Sequence, residues 1–392
     1  MKKRRDESTV VVAARLKRAL GRACLPEVLL CATIVLLAAS SLEGCGTRPK
    51  ALTPRQQSIA QSIERVWSDD CFIAETDTVE LSAPDTVLLD YGVDISVAFS
   101  GNLIAIGNRM ERNVVLFSRD GKFIRTIGRR GSGPGEFQGV WCVAIDAADR
   151  IYIYDDQLGR VSIFNAEGIL KSTLQLVGVP FHLVRDMAVG PTGLIFLHHV
   201  PSEGVPGFVS VWDSTGSLKK ILLKPSDDKY RGYLERGFLD GGIQISPDGV
   251  LFETNAYSYR VSKVYPNWVE TSFGEEPPDY RPLPRYRPSF EKIEEFERAT
   301  SKVTLILQPF LLQSSGLLLQ EVLNPWEEKL TLLHQVYDTS GIYLGTVRAN
   351  HLFQAESGGY LLGLYPKYGS PKYGDVEQRI PYDIILYKER RF

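Results

Sequence analysis

From about residue 76 onward the chain alternates short apolar runs with polar turns that carry glycine. Leu103-Ile104-Ala105-Ile106, Ile151-Tyr152-Ile153-Tyr154, Leu194-Ile195-Phe196-Leu197, Val250-Leu251-Phe252, Leu317-Leu318-Leu319 and Tyr360-Leu361-Leu362 each follow such a turn directly. Runs of three or four apolar residues bounded by turn signals predict strands buried on both faces. The turns in front of them are Ser100-Gly101, residues 146–149, residues 190–193, residues 246–249, residues 313–316 and residues 356–358. Counted between successive turns, the spacings are 48, 44, 56, 67 and 42 residues. A second series stands at Asp120-Gly121, Glu167-Gly168, Thr215-Gly216 and Ser340-Gly341, with Tyr265-Pro266-Asn267 as a degenerate member.

A period of 40 to 50 residues with several strands per unit predicts a β-propeller, and six turns of the first series predict six blades. The fold expected is all-β, with four-stranded antiparallel blades, a short N-terminal helix and a helical insertion. Ring closure is expected from an early strand over residues 77–81 pairing into the last blade, which would leave no free sheet edge. The 67-residue spacing reflects an insertion over 274–300, Pro-rich at its start, with a short helix expected from Ser289 through Ile293 and Phe296. Ahead of the strands, Thr53-Pro54-Arg55-Gln56 starts a helix that Ile59, Ile63 and Val66 carry to about Trp67, packed on the main body.

The N-terminus changes the picture of where this body works. Lys2, Lys3, Arg4, Arg5, Arg15, Lys17, Arg18 and Arg22 precede a 14-residue apolar run over residues 28–41. That run is short for a membrane span, which needs about 20 residues, and suits an export signal. Leu42-Glu43-Gly44-Cys45 follows and resembles the lipobox of bacterial lipoproteins, which implies Cys45 as the lipid attachment residue. Glu43 departs from the small or apolar residue of that pattern. The expected organisation is a signal peptide over 1–44, a tether and short helix over 45–70, and the propeller over 71–392.

The stretch from Gly131-Ser132-Gly133-Pro134-Gly135-Glu136-Phe137 through Val143-Ala144-Ile145-Asp146, Ile151-Tyr152-Ile153-Tyr154-Asp155 and Arg160-Val161-Ser162-Ile163-Phe164 resembles an NHL repeat. It is similar in particular to the six-bladed propellers of exported bacterial lipoproteins. This resemblance implies the fold and leaves function open, because propellers host enzymes and binding platforms alike.

Charge and chemistry narrow the function only a little. The 45 basic and 47 acidic residues nearly cancel. Residues 1–44 hold eight of the basic and four of the acidic ones, leaving 37 against 43, or −6, for the rest. This offers no basic footprint for nucleic acid. The glycine-rich loop at 131–135 lacks the Gly-Lys-Ser/Thr and the following helix of a phosphate cradle, so it is read as a crossing between blades. Asp155, Asp156 and Arg160 are read as a loop-holding set, through amide hydrogen bonds or an ion pair. His182, His198, His199, His334 and His351 do not recur at matching blade positions, which disfavours an axial zinc site. Cys71 and Cys142 are either bridged or two buried thiols. Trp141, Trp212, Trp268 and Trp326 are read as blade packing. The expectation is an exported, membrane-tethered binding or scaffolding module whose partner is an envelope protein, peptide or glycan, with no catalytic, metal or cofactor residues assigned. The alternative is an enzyme using the axial pocket, a calcium-dependent lactonase-like hydrolase or a lyase.

Overall fold

The computed structural model describes residues 51–89, 96–176, 184–202, 204–225, 241–284, 302–324, 331–350, 353–366 and 382–390. By internal contacts the chain divides at Thr53/Pro54 into two units, and the second holds every described strand. This second unit begins with helix α1 (Pro54–Val66), then a single 3₁₀ turn (Asp69–Cys71) and strand β1 (Ile73–Val79). Ile59 and Ile63 are the buried face of α1, set against the fifth blade, where Gln56 Nε2 donates to Asp338 Oδ2 at 2.5 Å. The helix stops where Trp67 takes a left-handed φ of 53°, and its Trp67 side chain is exposed.

The strands form six four-stranded antiparallel sheets. The first blade is β2 (Val97–Phe99), β3 (Leu103–Asn108), β4 (Asn113–Ser118) and β5 (Phe123–Ile127). The second is β6 (Val140–Ile145), β7 (Ile151–Asp155), β8 (Arg160–Phe164) and β9 (Leu170–Gln175). The third is β10 (Val184–Val189), β11 (Ile195–His199), β12 (Val209–Trp212) and β13 (Leu218–Leu222). The fourth is β14 (Gly241–Ile245), β15 (Leu251–Asn255), β16 (Ser258–Val264) and β17 (Glu270–Phe273). The fifth is β18 (Leu305–Leu312), β19 (Leu317–Asn324), β20 (Thr331–Asp338) and β21 (Tyr343–Arg348). The sixth is β22 (Ala355–Ser357), β23 (Tyr360–Pro366) and β24 (Tyr382–Glu389), completed by β1 as its outermost strand. The chain is a six-bladed β-propeller.

The predicted turns fall where the blades need them. The first series joins first to second strands, and the second series joins third to fourth. In the second series Gly121, Gly168, Gly216 and Gly341 each donate their N–H to the residue three before, at 2.9 to 3.0 Å. In the fourth blade Trp268 makes the equivalent bond to Tyr265 at 2.8 Å, with φ at 68°, so the degenerate turn keeps its geometry without glycine. The closing strand spans Ile73–Val79, beginning four residues before the expected 77–81. It pairs antiparallel with β24 from Ile73↔Glu389 to Val79↔Ile384.

The second strands are the most buried, as apolar runs demand: all five residues of β7, β11 and β15 are buried. The core lies between blades. Cys142 and Tyr154 of the second blade pack with Met187, Leu197 and Trp212 of the third, while Val114 and Leu116 of the first pack with Val140 and Ile153 of the second. Burying each such side chain contributes roughly 1.5–3 kcal/mol. The crossing from β5 to β6 holds one position that only glycine satisfies. Gly128 has φ at +80°, and a Cβ there would stand 2.1 Å from the Phe137 ring. Of the insertion, the structure describes residues 274–284, where Pro277 and Leu283 are buried. The helix expected from Ser289 lies outside the described residues.

Candidate functional site

The six innermost strands, β2, β6, β10, β14, β18 and β22, surround an axial cavity of about 780 Å³. At its lower end these strands turn back, and the turns are satisfied internally. Asp146 accepts the Ala148 and Arg150 N–H groups at 2.9 and 3.0 Å and pairs with the Arg150 guanidinium at 2.7 Å. At the upper end, where the innermost strands begin, the wall changes character. Trp141, Arg185, Asp186 and Gln308 line it there, together with Arg109, from the loop after β3.

Backbone irregularity puts three of these five side chains in place. In the second blade Val140 pairs with Asp155 and Cys142 with Tyr154, which leaves Trp141 as the extra residue of a β-bulge. In the third, Val184 pairs with His199 and Asp186 with His198, leaving Arg185 extra at the same register. In the fifth the pairing jumps from Ile306 to Pro309, past Gln308. A bulge gives up ladder pairing and re-aims the unpaired side chain. The Arg109 guanidinium lies 3.7 Å from the Trp141 ring centroid and that of Arg185 lies 5.9 Å from it.

Behind the wall runs a buried polar layer between the third and fourth blades. Asp186 accepts the N–H of Met187 at 2.7 Å and of Ile243 at 2.9 Å. Burial pushes its carboxyl above the ordinary range, against the pull of those N–H groups and of His198. His198 and Glu253 are wholly buried, with Nε2 3.4 Å from Oε1. The neighbouring His199 falls to about 4 by burial, so it is neutral at pH 7, and its Nδ1 lies 3.2 Å from the Val200 carbonyl. Gly242 lets this layer close up: a Cβ there would meet Gln308 at 2.8 Å and the Asp186 carboxylate at 3.0 Å.

A second carboxyl faces the cavity from the sixth blade. Glu356 lines the wall, and burial, then the nearby Glu389, push it up to about 9. It is therefore an uncharged acid at pH 7. With Glu356 uncharged, the ionisable side chains left in the lining are Arg109, Arg150, Arg185, Asp146 and Asp186, and two of the three arginines stand at the upper end beside the raised Asp186 carboxyl.

The residues singled out by sequence divide clearly. The 131–137 stretch is the crossing from β5 to β6, with Glu136 accepting the Gly133 N–H at 2.9 Å and pairing with Arg129 at 2.9 Å. Asp155 holds that crossing by accepting the Gln138 and Gly139 N–H groups at 2.8 and 3.1 Å. Arg160 does not pair with it. Its guanidinium donates instead to the carbonyls of Gly133 and Glu136 at 2.8 and 2.7 Å. Cys71 and Cys142 are free and buried, with burial pushing Cys71 up to about 12, so both are inert thiols. Trp212 packs in the core and donates Nε1–H to Ser210 at 2.9 Å. Trp141, read as packing, lines the cavity instead, and His198 and His199 are the last two residues of β11. Cys45, His182, His351 and Trp326 lie outside the described residues.

Arg109, Arg185 and Asp186 escaped the sequence reading, though one signal existed. Counted back from the last residue of the innermost strand, Trp141 and Arg185 occupy the same place in neighbouring blades, as do Cys142 and Asp186. No group of three or more His, Cys, Asp or Glu side chains placed to hold a metal ion occurs among the described residues.

Known proteins agree with this architecture. A family model described as a 6-bladed beta-propeller matches residues 68–197. No protein of curated function matches the sequence. Among solved structures, a protein from Bacteroides fragilis described as exported superposes with a TM-score of 0.55 at 14% identity, over 81% of this chain and 95% of that one. A member of a family of unassigned function from Bacteroides vulgatus gives 0.54 at 9% identity, over 81% and 97%. Virginiamycin B lyase from Staphylococcus aureus gives 0.44 at 13% identity, over 74% and 81%, too distant to carry chemistry across. At these identities what the two Bacteroides structures share with this chain is the fold.

Proposed function

We propose that this protein is an exported, membrane-tethered propeller that binds a ligand in its axial cavity, as a binding or scaffolding module of the cell envelope. The observation that carries the reading is the cavity itself. Its 780 Å³ falls in the range of small-ligand sites, and at one end three bulges and a loop bring charged, aromatic and amide side chains to its wall. A central channel is common to propellers; what marks this one is that the bulges turn a tryptophan, an arginine and a glutamine onto its wall. The basic leader, the 28–41 apolar run and the lipobox-like sequence at Cys45 support the tether, as does the likeness to an exported protein of Bacteroides. The ligand would belong to an envelope protein, peptide or glycan.

The test is native mass spectrometry of the full chain extracted in mild detergent from its own cells. A retained ligand is expected on the wild type and lost in Ala188→Trp, which enlarges a side chain of the cavity wall; because Ala188 also packs on the core between the third and fourth blades, a thermal melt verifies that the variant folds. Equal occupancy of the two proteins would overturn the cavity reading. Loss of membrane association in Cys45→Ala tests the tether separately.

A second reading, acid–base catalysis in the same cavity, has one observation in its favour. Asp186 faces the cavity with its carboxyl raised by burial, beside His198 in the ladder and with Glu253 beyond. Turnover of the retained ligand, lost in Asp186→Asn while binding persists, would establish it.

A further inference from the structure

Antiparallel strands put the first-to-second and the third-to-fourth turns of every blade at one end, the lower end of the axis. Four of the large apolar residues exposed among the described ones lie on that rim. They are Ile169 in the second blade, Leu218 in the third, and Tyr265 and Val269 in the fourth, with Ile169 56% and Val269 49% exposed. Each lies in the third-to-fourth turn of its blade or opens the strand after it, so three consecutive blades present apolar side chains at one level. The fourth goes furthest. Its turn, Tyr265-Pro266-Asn267-Trp268-Val269, holds no charged residue, whereas the turns over 118–122, 165–169, 213–217 and 338–342 each hold at least one. Pro266 and Pro191, from the first-to-second turn of the third blade, converge on Gly249, where an added Cβ would stand 3.5 and 3.6 Å from their Cγ atoms. The apolar surface thus runs from the third blade onto the fourth. Acids outnumber bases in the third-to-fourth turns, so the contact this rim favours is apolar, with zwitterionic rather than anionic lipid.

The path of the chain points to a lipid surface as the occupant. Helix α1 begins at this same end. Arg55 donates to the Ser315 carbonyl in the first-to-second turn of the fifth blade, and Gln56 to Asp338 at the start of its third-to-fourth turn. The helix then runs along β21, where a Cβ on Gly345 would stand 2.8 Å from Ile63, to the upper end, where the Arg348 N–H reaches the Trp67 carbonyl at 3.3 Å. Its 13 residues separate the two ends by about 20 Å. Pro54 is the ninth residue after Cys45, and that stretch spans about 30 Å at most when fully extended. A lipid on Cys45 therefore pulls on the lower end first. The fifth blade adjoins the apolar turn of the fourth: Lys263 donates to the Thr339 carbonyl at 2.7 Å and lies 4.6 Å from the Tyr265 ring centroid.

We propose that the lower rim of blades two to four rests on the lipid surface to which Cys45 is anchored, with Tyr265 and Val269 in the boundary between headgroups and acyl chains. Tyrosine suits that boundary, having an apolar body and a polar tip. The upper mouth of the cavity then opens away from the membrane. The docking rests on the tether proposed above and adds its orientation.

Spin labelling of the full chain, purified from its own cells and placed in phosphatidylcholine vesicles, tests this. Cleavage ahead of Cys45 removes Cys24 and Cys31, and Cys71 and Cys142 are buried, so Ile169→Cys, Val269→Cys and Met110→Cys each accept one nitroxide. Met110, 81% exposed in the loop after β3, reports on the upper end. In power-saturation measurements the Ile169→Cys and Val269→Cys labels are expected to favour oxygen over a water-soluble nickel chelate, and the Met110→Cys label to favour the chelate. Tyr265→Ser with Val269→Ser should open the Ile169→Cys label to the chelate while the lipid anchor stays in place, and a thermal melt verifies that this variant folds. Rim labels as open to the chelate as the Met110→Cys label, or an Ile169→Cys label unmoved by the double change, would overturn the docking. Intact mass keeps the two readings apart: an acylated chain with wet rim labels retains the tether and loses the docking, and a chain without lipid loses both.

Discussion

His334 Nε2 lies 3.3 Å from Glu321 Oε1, facing it across β19 and β20, and on its other side Nδ1 stands 4.0 Å from Asp69 Oδ2. His334 and Asp69 are wholly buried. Asp69 in turn accepts the Asn350 N–H through both oxygens at 3.1 Å. One imidazole therefore ties the segment before β1 to the fifth blade. Removing it strands two carboxyl groups in a site with little water.

His334→Ala is accordingly expected to destabilise the protein by about 3–5 kcal/mol, the cost of breaking a buried pair from one side. The paired change Glu321→Leu with His334→Leu should cost less than the sum of the two single changes, because it leaves one buried carboxyl group, that of Asp69, without the imidazole rather than two. Urea unfolding of the four variants measures this. Additive losses would show that the pair is not coupled.

The Glu356–Glu389 pair sets a pH dependence of opposite sense to ordinary acid denaturation. Glu356 ionises at about 4.5 in the unfolded chain and about 9 in the fold, because burial and Glu389 oppose its charge. The folded state then holds a proton that the unfolded state has released. Its contribution is complete below about 4.5 and is lost as pH rises toward 9, at up to about 1.4 kcal/mol per pH unit. Wild-type stability should fall between those limits, while Glu356→Gln, uncharged throughout, should flatten the profile and be the more stable protein at the alkaline end. Urea midpoints across the interval decide it, and parallel profiles would rule the pair out as the cause.

The blades were legible in sequence because a second strand buried on both faces has to be apolar throughout, and its turn has to reverse the chain in two or three residues. Both constraints act within about ten residues, as at Ser246-Pro247-Asp248-Gly249 before Val250-Leu251-Phe252. The closing strand was legible for a topological reason, since β24 otherwise ends as an open edge. The cavity mouth was not. Whether Trp141 packs or lines a pocket depends on a register shift against β7, set by the tertiary ladder and invisible in residue type. His198 and Glu253 are likewise brought together by the packing of two blades, far apart in the chain. The ionisation of Glu356 depends on Glu389, 33 positions away and on another strand.

Gly128 offers a local test of how tightly the β5–β6 crossing is built. Its φ of +80° already costs a non-glycine residue about 1–2 kcal/mol, and an added methyl would meet the Phe137 ring, itself without exposed surface. Overpacking adds about 1–3 kcal/mol. Gly128→Ala should therefore cost more than about 2 kcal/mol. Joined to Phe137→Leu it should cost less than the two single losses together, since the smaller side chain makes room for the methyl. A loss below about 1 kcal/mol in chemical denaturation would mean that the crossing relaxes freely.

Ring closure depends on a strand from the far end of the chain. Strand β1 covers the outer edge of β24 along its length, from Ile73↔Glu389 to Val79↔Ile384, and the Arg390 N–H extends the contact to the Phe72 carbonyl at 2.7 Å. A chain lacking residues 51–79 would expose that edge, with Leu386 and Ile384 of the core beside it. Unpaired edges recruit other strands, so the shortened protein should self-associate and lose its cooperative thermal transition. A synthetic peptide of residues 51–81 supplied in trans should restore both, as an added strand pairs with an open sheet edge. The effect is specific to strand pairing if the same peptide with Thr78→Pro fails to rescue, because proline removes an N–H from the strand and locks its φ. A shortened chain that melts cooperatively as a monomer would show that the sixth blade is stable with three strands, and that closure serves another end.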